Sequence, residues 1–149
     1  MIIQPTSIPF TAIGYAKLQP ELEKLQKYRE EVLIRLQRAR EMGDLSENGA
    51  YKTARFELSD TDRNMRRLQH LLKYGVVVSA PADGSIGVGS TVTLEKEDGG
   101  TVQYEIVGTY EADPLKGKIS LESPMGLALV GKKMGDKIEV MGKTYRVRP

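Results

Sequence analysis

The chain of 149 residues is long enough for one compact domain or two small ones, and its 40% hydrophobic and 28% charged residues are ordinary for a globular protein. It contains no cysteine, which excludes disulfides and thiolate metal sites. The net charge is only +2, with a small positive excess in residues 1–75 that permits contact with nucleic acid without requiring it. We expect a cytoplasmic protein, because the first residues do not resemble a signal peptide and no apolar run could cross a membrane.

The first half of the chain predicts helices. Residues 1–10 contain two prolines and no periodic pattern, which predicts a loose arm, and Thr11 is a candidate helix N-cap. Apolar residues then recur every three or four positions, as on one face of an amphipathic helix; they are Tyr15, Leu18, Leu22, Leu25, Tyr28, Val32, Leu36 and Ala39. Pro20 interrupts this pattern. Either one helix kinks there, or a short helix ends near Leu18 and a longer one begins with Pro20 in its first turn.

A second apolar stripe follows the helix-ending Gly43, and its steps alternate regularly between three and four residues. Its members are Tyr51, Ala54, Leu58, Thr61, Met65, Leu68 and Leu72. A helix with so narrow an apolar stripe is marginal alone in water. The two helices are therefore predicted to pack together as an antiparallel coiled-coil hairpin within residues 1–75, with residues 43–51 as its turn.

From residue 76 the pattern changes to short β segments separated by turn residues. Two glycine-containing turns, at 98–100 and 141–143, predict β-hairpins. Ser123 and Pro124 begin a short helical segment that continues through Leu129. The predicted strands are residues 76–78, 91–94, 102–107, 119–121, 137–140 and 144–147. The sequence thus predicts an α+β fold, with a small twisted β-sheet domain over residues 76–149.

Two carboxylates, Asp44 and Glu47, fall in the turn between the long helices. Helix capping is one explanation, since Ser46 with Glu47 could cap the second helix. The alternative is that the pair shares a hard cation such as Mg²⁺ with ligands of another molecule, because two exposed carboxylates cannot hold it tightly alone. Arg40 and Arg55 near the same end could contact nucleic-acid phosphate, or could belong to a solvated charged face.

The rest of the sequence offers no self-sufficient active site. His70 is the only histidine and has no clustered partners along the second helix. Phosphate-binding loops, zinc-protease motifs and a defensible Ser/His/Asp set are all absent from the sequence.

The turn sequence carries a family resemblance. The segment Gly43-Asp44-Leu45-Ser46-Glu47-Asn48, followed by Tyr51 and Ala54-Arg55, resembles the hairpin tip of the bacterial Gre transcript cleavage factors, of the GreA type. The second half resembles that family's C-terminal domain, in the same order, at residues 111–113, 118–120, 123–124, 128–132 and 135–136. The resemblance extends from about residue 11 to residue 147. It implies a coiled-coil hairpin followed by an FKBP-like domain.

The resemblance also implies a function. The chain would be a transcription elongation factor whose globular domain docks at the rim of the secondary channel of bacterial RNA polymerase. Its hairpin would reach the active site, where the nascent RNA 3′ end of a backtracked complex lies. The tip acids would share Mg²⁺ with the polymerase and so activate the polymerase's own RNA cleavage. On this reading the chain is not itself an enzyme, binds no cofactor stably alone and is a monomer.

Position by position, the resemblance assigns the assisting catalytic role and the shared Mg²⁺ to Asp44 and Glu47. The residues that would support the tip and contact RNA are Arg40, Ser46, Asn48, Tyr51 and Arg55. The residues that would dock on the polymerase are Ser123, Pro124 and Met125. The chain departs from the family pattern at Ala50, where many members place a third acid.

Other functions remain open at this level. A channel-binding relative could inhibit or regulate the polymerase without stimulating cleavage, although the Asp44 and Glu47 pair favours the cleaving form. A prolyl isomerase or chaperone is disfavoured because residues 76–149 contain only three aromatic residues, Tyr104, Tyr110 and Tyr145. A freestanding RNA-binding nuclease is disfavoured because the ligand set is incomplete.

Overall fold

The computed structural model describes residues 7–148, which divide into two units. One is a helical unit, Ala16–Tyr74, and the other joins residues 7–15 to residues 75–148. Residues 7–15 thus belong with the second half of the chain, which differs from the predicted domain over residues 1–75. No helix among the described residues is long and apolar enough to span a membrane.

Three helices, α1 (Ala12–Ala16), α2 (Leu18–Arg40) and α3 (Gly49–Tyr74), make up the first part of the chain. Pro20 is the third residue of α2, in the first turn, where its missing amide removes no intrahelical hydrogen bond. The short-helix alternative is therefore the observed one. Thr11 is confirmed as a cap, because its hydroxyl accepts a hydrogen bond from the Gly14 amide at 3.1 Å at the start of α1.

Helices α2 and α3 pack as an antiparallel pair along the two predicted apolar stripes. Cross-helix ion pairs join Arg29 to Asp62 at 2.6 Å and Arg35 to Glu57 at 2.6 Å. Thr61 of α3 is buried although it is polar, and its hydroxyl donates to the Glu57 carbonyl at 2.7 Å. The buried residues are Leu18, Leu22, Val32, Leu36 and Ala39 on α2, and Ala54, Thr61, Leu68 and Leu71 on α3. The burial of Leu71 differs from the predicted stripe, which placed Leu72 there; Leu72 is only half-buried.

The second unit contains a five-stranded sheet and a separate two-stranded one. The strands are β1 (Ile8–Phe10), β2 (Gly75–Val77), β3 (Thr91–Lys96), β4 (Thr101–Val107), β5 (Lys118–Ser120), β6 (Lys137–Val140) and β7 (Lys143–Arg148). The larger sheet has the order β5-β4-β3-β7-β6, with β4 and β5 parallel and its other pairs antiparallel. Helix α4 (Pro124–Leu129) and two 3-10 turns, Thr109–Glu111 and Pro114–Lys116, complete the unit. The predicted strands, both hairpins and the helical segment are confirmed.

The core of this unit lies on one face of the five-stranded sheet. Alternation along β3 turns Val92 and Leu94 inward, and the register places Leu94 opposite the buried Val147 of β7. Ile106 of β4 and Leu129 of α4 are fully buried in the same cluster. The other face of β3 and β7 carries polar and charged side chains and stays accessible to solvent.

The predicted loose arm is wrong for residues 8–10, and residues 1–6 lie outside the described part. These three residues form β1, which pairs in parallel with β2. Phe10 is only 1% exposed and stacks on Tyr110, with ring centroids 6.5 Å apart. The Glu111 carboxylate accepts hydrogen bonds from the amides of Thr11 at 2.9 Å and Gly108 at 3.0 Å, and from the Thr11 hydroxyl. Aromatic burial and one shared carboxylate therefore fix the segment.

Candidate functional site at the turn between the long helices

The turn between α2 and α3 begins with a glycine that the backbone requires. The last turn of α2 closes with hydrogen bonds from the Glu41 amide to the Gln37 carbonyl and from the Met42 amide to the Ala39 carbonyl, each 3.2 Å. Gly43 then adopts a φ of +112°. A Cβ on Gly43 would meet no atom within 4 Å, so the need for glycine is conformational rather than steric.

Asn48 connects the ends of both helices. Its side-chain oxygen accepts a hydrogen bond from the Tyr51 amide at 3.1 Å, which caps the start of α3. Its side-chain nitrogen donates to the Ala39 carbonyl in the last turn of α2 at 2.7 Å. The prediction that Ser46 and Glu47 cap the second helix is therefore wrong. Asn is a preferred N-cap residue, so its place immediately before the helix was the signal that could have identified it.

Asp44 is held by Ser46 in an Asx turn. Its Oδ1 accepts hydrogen bonds from the Ser46 amide at 3.0 Å and from the Ser46 hydroxyl at 2.8 Å. These bonds, the backbone one first, hold the pKa of Asp44 below its ordinary value. The other oxygen, Oδ2, takes no part in the hydrogen bonds or ion pairs found among residues 7–148. Asp44 therefore presents an ionised carboxylate with one oxygen fixed and one available.

Glu47 and Arg55 are both exposed near the same turn. Within the described part of the chain, neither makes a side-chain hydrogen bond or an ion pair. The carboxylate of Glu47 is thus available to an outside partner, as is the guanidinium of Arg55.

The fold brings Arg40 and Tyr51 together, although they lie on different helices. The Arg40 guanidinium carbon is 5.9 Å from the centroid of the Tyr51 ring, within the range of a cation–π contact. Two apolar side chains missed by the sequence reasoning also lie in the turn: Met42 is 73% exposed, and Leu45 is exposed as well. Their exposure depends on the shape of the turn and has no signature in the spacing.

The two carboxylates of the turn can supply only part of the ligand set of a hard divalent cation. Mg²⁺ prefers carboxylate oxygens and keeps several waters. Asp44 and Glu47 supply two carboxylates of this kind and fit such an ion if its remaining ligands come from another molecule. Among residues 7–148, no group of three or more His, Cys, Asp or Glu side chains is arranged to hold a metal ion.

The predicted docking residues lie at the start of α4. The Ser123 hydroxyl accepts a hydrogen bond from the Gly126 amide at 3.1 Å and donates to the Ser120 carbonyl at 2.7 Å, so it caps the helix. Met125 is half-buried against the core, whereas Pro124 is exposed. Leu127, which the sequence reasoning did not single out, is 66% exposed on the same helix. Of the predicted residues, Pro124 is the most accessible to a partner.

Comparisons with known proteins match both halves of the chain to the same family. A family model described as transcription elongation factor, N-terminal, matches residues 8–77, and one described as transcription elongation factor, GreA/GreB, C-term, matches residues 81–148. The chain is 40% identical over 135 residues to transcription elongation factor GreA of Staphylococcus epidermidis, covering 89% of this chain and 85% of the relative. It is 41% identical over 136 residues to GreA of Oenococcus oeni, covering 89% and 84%.

Solved structures similar to the chain include the GreA factor homolog 1 protein of Thermus thermophilus, at 28% identity and a TM-score of 0.47, covering 96% of this chain and 97% of the other. Another is the prokaryotic elongation factor GreA/GreB from Nitrosomonas europaea, at 20% identity and a TM-score of 0.41, covering 95% and 97%. The two family models, together with the curated relatives at about 40% identity, show the family. The chain therefore belongs to the GreA/GreB family of transcription elongation factors.

Proposed function

We propose that this elongation factor binds bacterial RNA polymerase through its secondary channel and stimulates cleavage of backtracked nascent RNA. The observation that carries the proposal is that Asn48 caps α3, which leaves Asp44 and Glu47 free of any capping role. Two exposed acids on a turn that is fixed at both ends suit delivery to a partner's active site.

The chemistry of the two acids follows from their surroundings. Ser46 holds one oxygen of Asp44 and favours its ionised form, so the second oxygen can bind a cation without prior loss of a proton. Asp44 and Glu47 would hold Mg²⁺ together with acids of the polymerase. When bound, the ion supplies positive charge that stabilises the attacking and leaving oxygens of phosphodiester hydrolysis. The factor would thus complete the polymerase's site rather than contain one.

The neighbouring residues fit an RNA-facing tip. Arg40 is the last residue of α2 and Arg55 lies in the second turn of α3, so both are on the helix ends that flank the turn. Guanidinium matches phosphate geometry well. The cation–π contact of Arg40 with Tyr51 would restrict the arginine before RNA arrives and so lower the entropy lost on contact. Asn48 keeps the helix ends together and so limits the positions that Asp44 can reach.

Docking is assigned to the exposed side of α4. Pro124 and Leu127 offer apolar surface to the polymerase, while Ser123 and Met125 maintain the helix and its packing. A Pro124→Ala change should weaken binding to the polymerase. The same change at Ser123 would also remove a helix cap, so Pro124 is the cleaner test of docking.

The decisive experiment uses backtracked RNA polymerase complexes, with the factor and Mg²⁺ added and short 3′ RNA fragments measured on gels. The wild-type protein should release fragments, and the combined Asp44→Asn and Glu47→Gln variant should not. The variant should still compete with wild type for the polymerase, because its docking surface is unchanged. Cleavage by the double variant at the wild-type rate would remove the basis for the assignment of the tip acids.

A second candidate is a factor that occupies the channel and regulates the polymerase without cleavage. Ala50 favours it, because the third acid common in the family is missing and the turn carries less negative charge. The same assay separates the two functions: this candidate predicts slower RNA synthesis with no fragments at any Mg²⁺ concentration.

A further inference from the structure

The exposed large apolar side chains of the two long helices are gathered at one level. Phe56 of α3 is 71% exposed and Ile34 of α2 is 53% exposed, and Tyr28 and Leu33 of α2 are exposed as well. We call these four residues the apolar belt. Along the rest of α2 and α3, both of which the structure describes, no other large apolar side chain is exposed. Single exposed apolar residues are common on protein surfaces, so the shared level is the feature that needs an explanation.

Contacts between the helices fix the level of the belt. The Arg35 guanidinium of α2 pairs with the Glu57 carboxylate of α3 at 2.6 Å. Their chain neighbours, Ile34 and Phe56, therefore lie within about one helical turn of the same height. The Tyr28 hydroxyl donates to the same carboxylate at 3.4 Å, which brings the tyrosine side chain to this level. Both Ile34 and Phe56 lie about two turns from the helix ends that flank the acidic turn, roughly 10 Å along the helices.

The belt faces several sides of the helix pair. Ile34 lies two positions after the buried Val32, and a step of two residues rotates a side chain by about 200° around a helix axis, so Ile34 faces away from α3. By the same rule Phe56, two positions after the buried Ala54, faces away from α2. Tyr28 contacts the cross-helix ion pair and so lies on a third side, where the two helices meet. The belt is therefore distributed around the pair.

Packing within the protein does not explain this arrangement, since none of the four side chains belongs to the buried contact between α2 and α3. A strand of RNA or a second copy of the chain, lying along one side of the pair, would leave the opposite side in water. A partner that surrounds the hairpin would cover Ile34 and Phe56 together. The distribution around the pair thus favours a surrounding partner with apolar walls.

We infer that an apolar constriction in the channel of RNA polymerase holds the belt, with contacts to Ile34 and Phe56 on opposite sides of the hairpin. The inference rests on the proposed function, because the secondary channel is the surrounding partner. Aromatic side chains are enriched in the cores of protein interfaces, where burial removes their apolar surface from water. The belt therefore supplies affinity along the hairpin, in addition to docking at α4.

Photocross-linking tests which molecule contacts the belt. A benzophenone amino acid replaces Ile34 in one variant and Phe56 in another. Each variant is irradiated in purified backtracked polymerase complexes that carry labelled RNA. Both positions should cross-link to polymerase protein. Cross-links to RNA in place of protein, or to a second copy of the factor, would overturn the inference. Capture of polymerase at one position and not at the other would also overturn it, because the belt would not be surrounded.

The contribution to affinity is measured by titrating the fluorescently labelled full chain with purified polymerase. Ile34→Gln with Phe56→Gln should weaken binding roughly 5- to 30-fold, the usual range for loss of interface anchors. The control, Ile13→Gln with Leu115→Gln, removes two exposed apolar side chains from the other unit and should leave the affinity unchanged. Circular dichroism should show the same helix content for all variants. Unchanged binding of the belt variant, or an equal loss in the control, would contradict the inference.

The belt and the proposed cleavage function fail in different ways. The affinity titration requires no RNA cleavage. A chain that binds the polymerase through the belt and releases no RNA fragments would therefore overturn the cleavage function alone. A belt variant that binds as tightly as wild type, while wild type releases fragments, would overturn the belt alone. No binding of the wild-type chain to the polymerase would overturn both.

Discussion

Two aspartates of this chain form the same local structure in different places. Asp44 accepts hydrogen bonds from the amide and hydroxyl of Ser46, and Asp83 accepts the same two from Ser85, at 2.9 and 2.6 Å. In both cases the pKa of the aspartate lies below its ordinary value. Yet Asp44 lies in a turn fixed between two long helices, whereas Asp83 lies in a loop before β3. Local hydrogen bonding therefore does not distinguish a candidate site from a plain turn.

The difference lies in the surroundings of each turn. Asp44 has a second free acid three residues away and a capping residue, Asn48, that fixes the end of the turn. The positive charge of Lys133 interacts with the Asp83 carboxylate and offsets its negative charge. Function is therefore expected at the aspartate whose neighbours add to its negative charge, and the following changes test that expectation in order of decreasing effect.

The largest effect is expected for Asp44→Asn. Asparagine keeps the oxygen that accepts from Ser46, so the turn should persist while the charge is lost. Stimulated RNA cleavage should fall by at least roughly 10- to 100-fold, because loss of a direct ligand should cost no less than loss of a group that orients a ligand. Rates on backtracked polymerase complexes measure this. Asp83→Asn makes the same chemical change in the matching turn and should leave the rate unaltered; equal losses at both positions would remove the functional distinction between them.

The next effect is expected for Asn48→Ala, which removes the cap of α3 and the bond to Ala39. The free energy of unfolding should fall by about 1–2 kcal/mol. Asn48→Asp keeps the capping oxygen but loses the donor, so its loss should be near 1 kcal/mol. Denaturant unfolding measures both. Asn64→Ala on the same helix is the control, since the side-chain hydrogen bond that Asn64 makes within residues 7–148 is long at 3.4 Å. A loss there as large as at Asn48 would contradict a stabilising role of Asn48 at both helix ends.

A smaller difference should separate Gly43→Ala from Gly84→Ala. Both glycines have positive φ and open space around a Cβ, so strain in the backbone is the sole penalty, about 1 kcal/mol. The φ of +112° at Gly43 lies farther from the left-handed minimum than the +83° at Gly84. Thermal or denaturant unfolding should therefore show the larger loss at Gly43. A larger loss of stability at Gly84 would mean that the turn between the helices adjusts its backbone and relieves the strain at residue 43.

The smallest effect is a pKa difference between Ser46→Ala and Ser85→Ala. The backbone amide is the main cause of the lowered pKa at Asp44, whereas the serine hydroxyl is the main cause at Asp83. Loss of the hydroxyl should therefore raise the pKa of Asp83 more than that of Asp44. Carbon-detected NMR titration of the two carboxyl groups measures this; a larger rise at Asp44 would show that its hydroxyl bond dominates.

The sign of the linked stability change follows from the lowered pKa values. A carboxylate with a lowered folded-state pKa stabilises the fold above the ordinary aspartate pKa. That contribution is lost as pH falls through the lowered value. Ser85→Ala should therefore destabilise the protein at neutral pH more than in acid. In acid, Asp83 is protonated in both the folded and the unfolded state, so the lowered pKa no longer contributes.

Much of the fold was predictable because its signals are local. The alternation in residues 91–94 and the glycine turn at 141–143 are encoded within a few positions. The structure forms β3 and a hairpin there, with Met141 and Gly142 both at positive φ. The paired apolar stripes likewise predicted that α2 and α3 pack together. The acids at 44 and 47 were identified from their place in the turn, and their proposed role stays a prediction.

The sequence by itself determined the helices, the strands and the position of the acidic turn, since periodicity and turn chemistry act over short distances. Tertiary structure decided what depends on distant partners. It pairs residues 8–10 with residues 75–77. A segment of three residues that includes a proline is too short to predict a strand from its sequence pattern. It lets Asn48 bind the ends of both helices, because the Ala39 carbonyl is brought within 2.7 Å of the Asn48 side-chain nitrogen. It also sets Lys137 against Arg146, since strand register, not spacing along the chain, decides which charges meet.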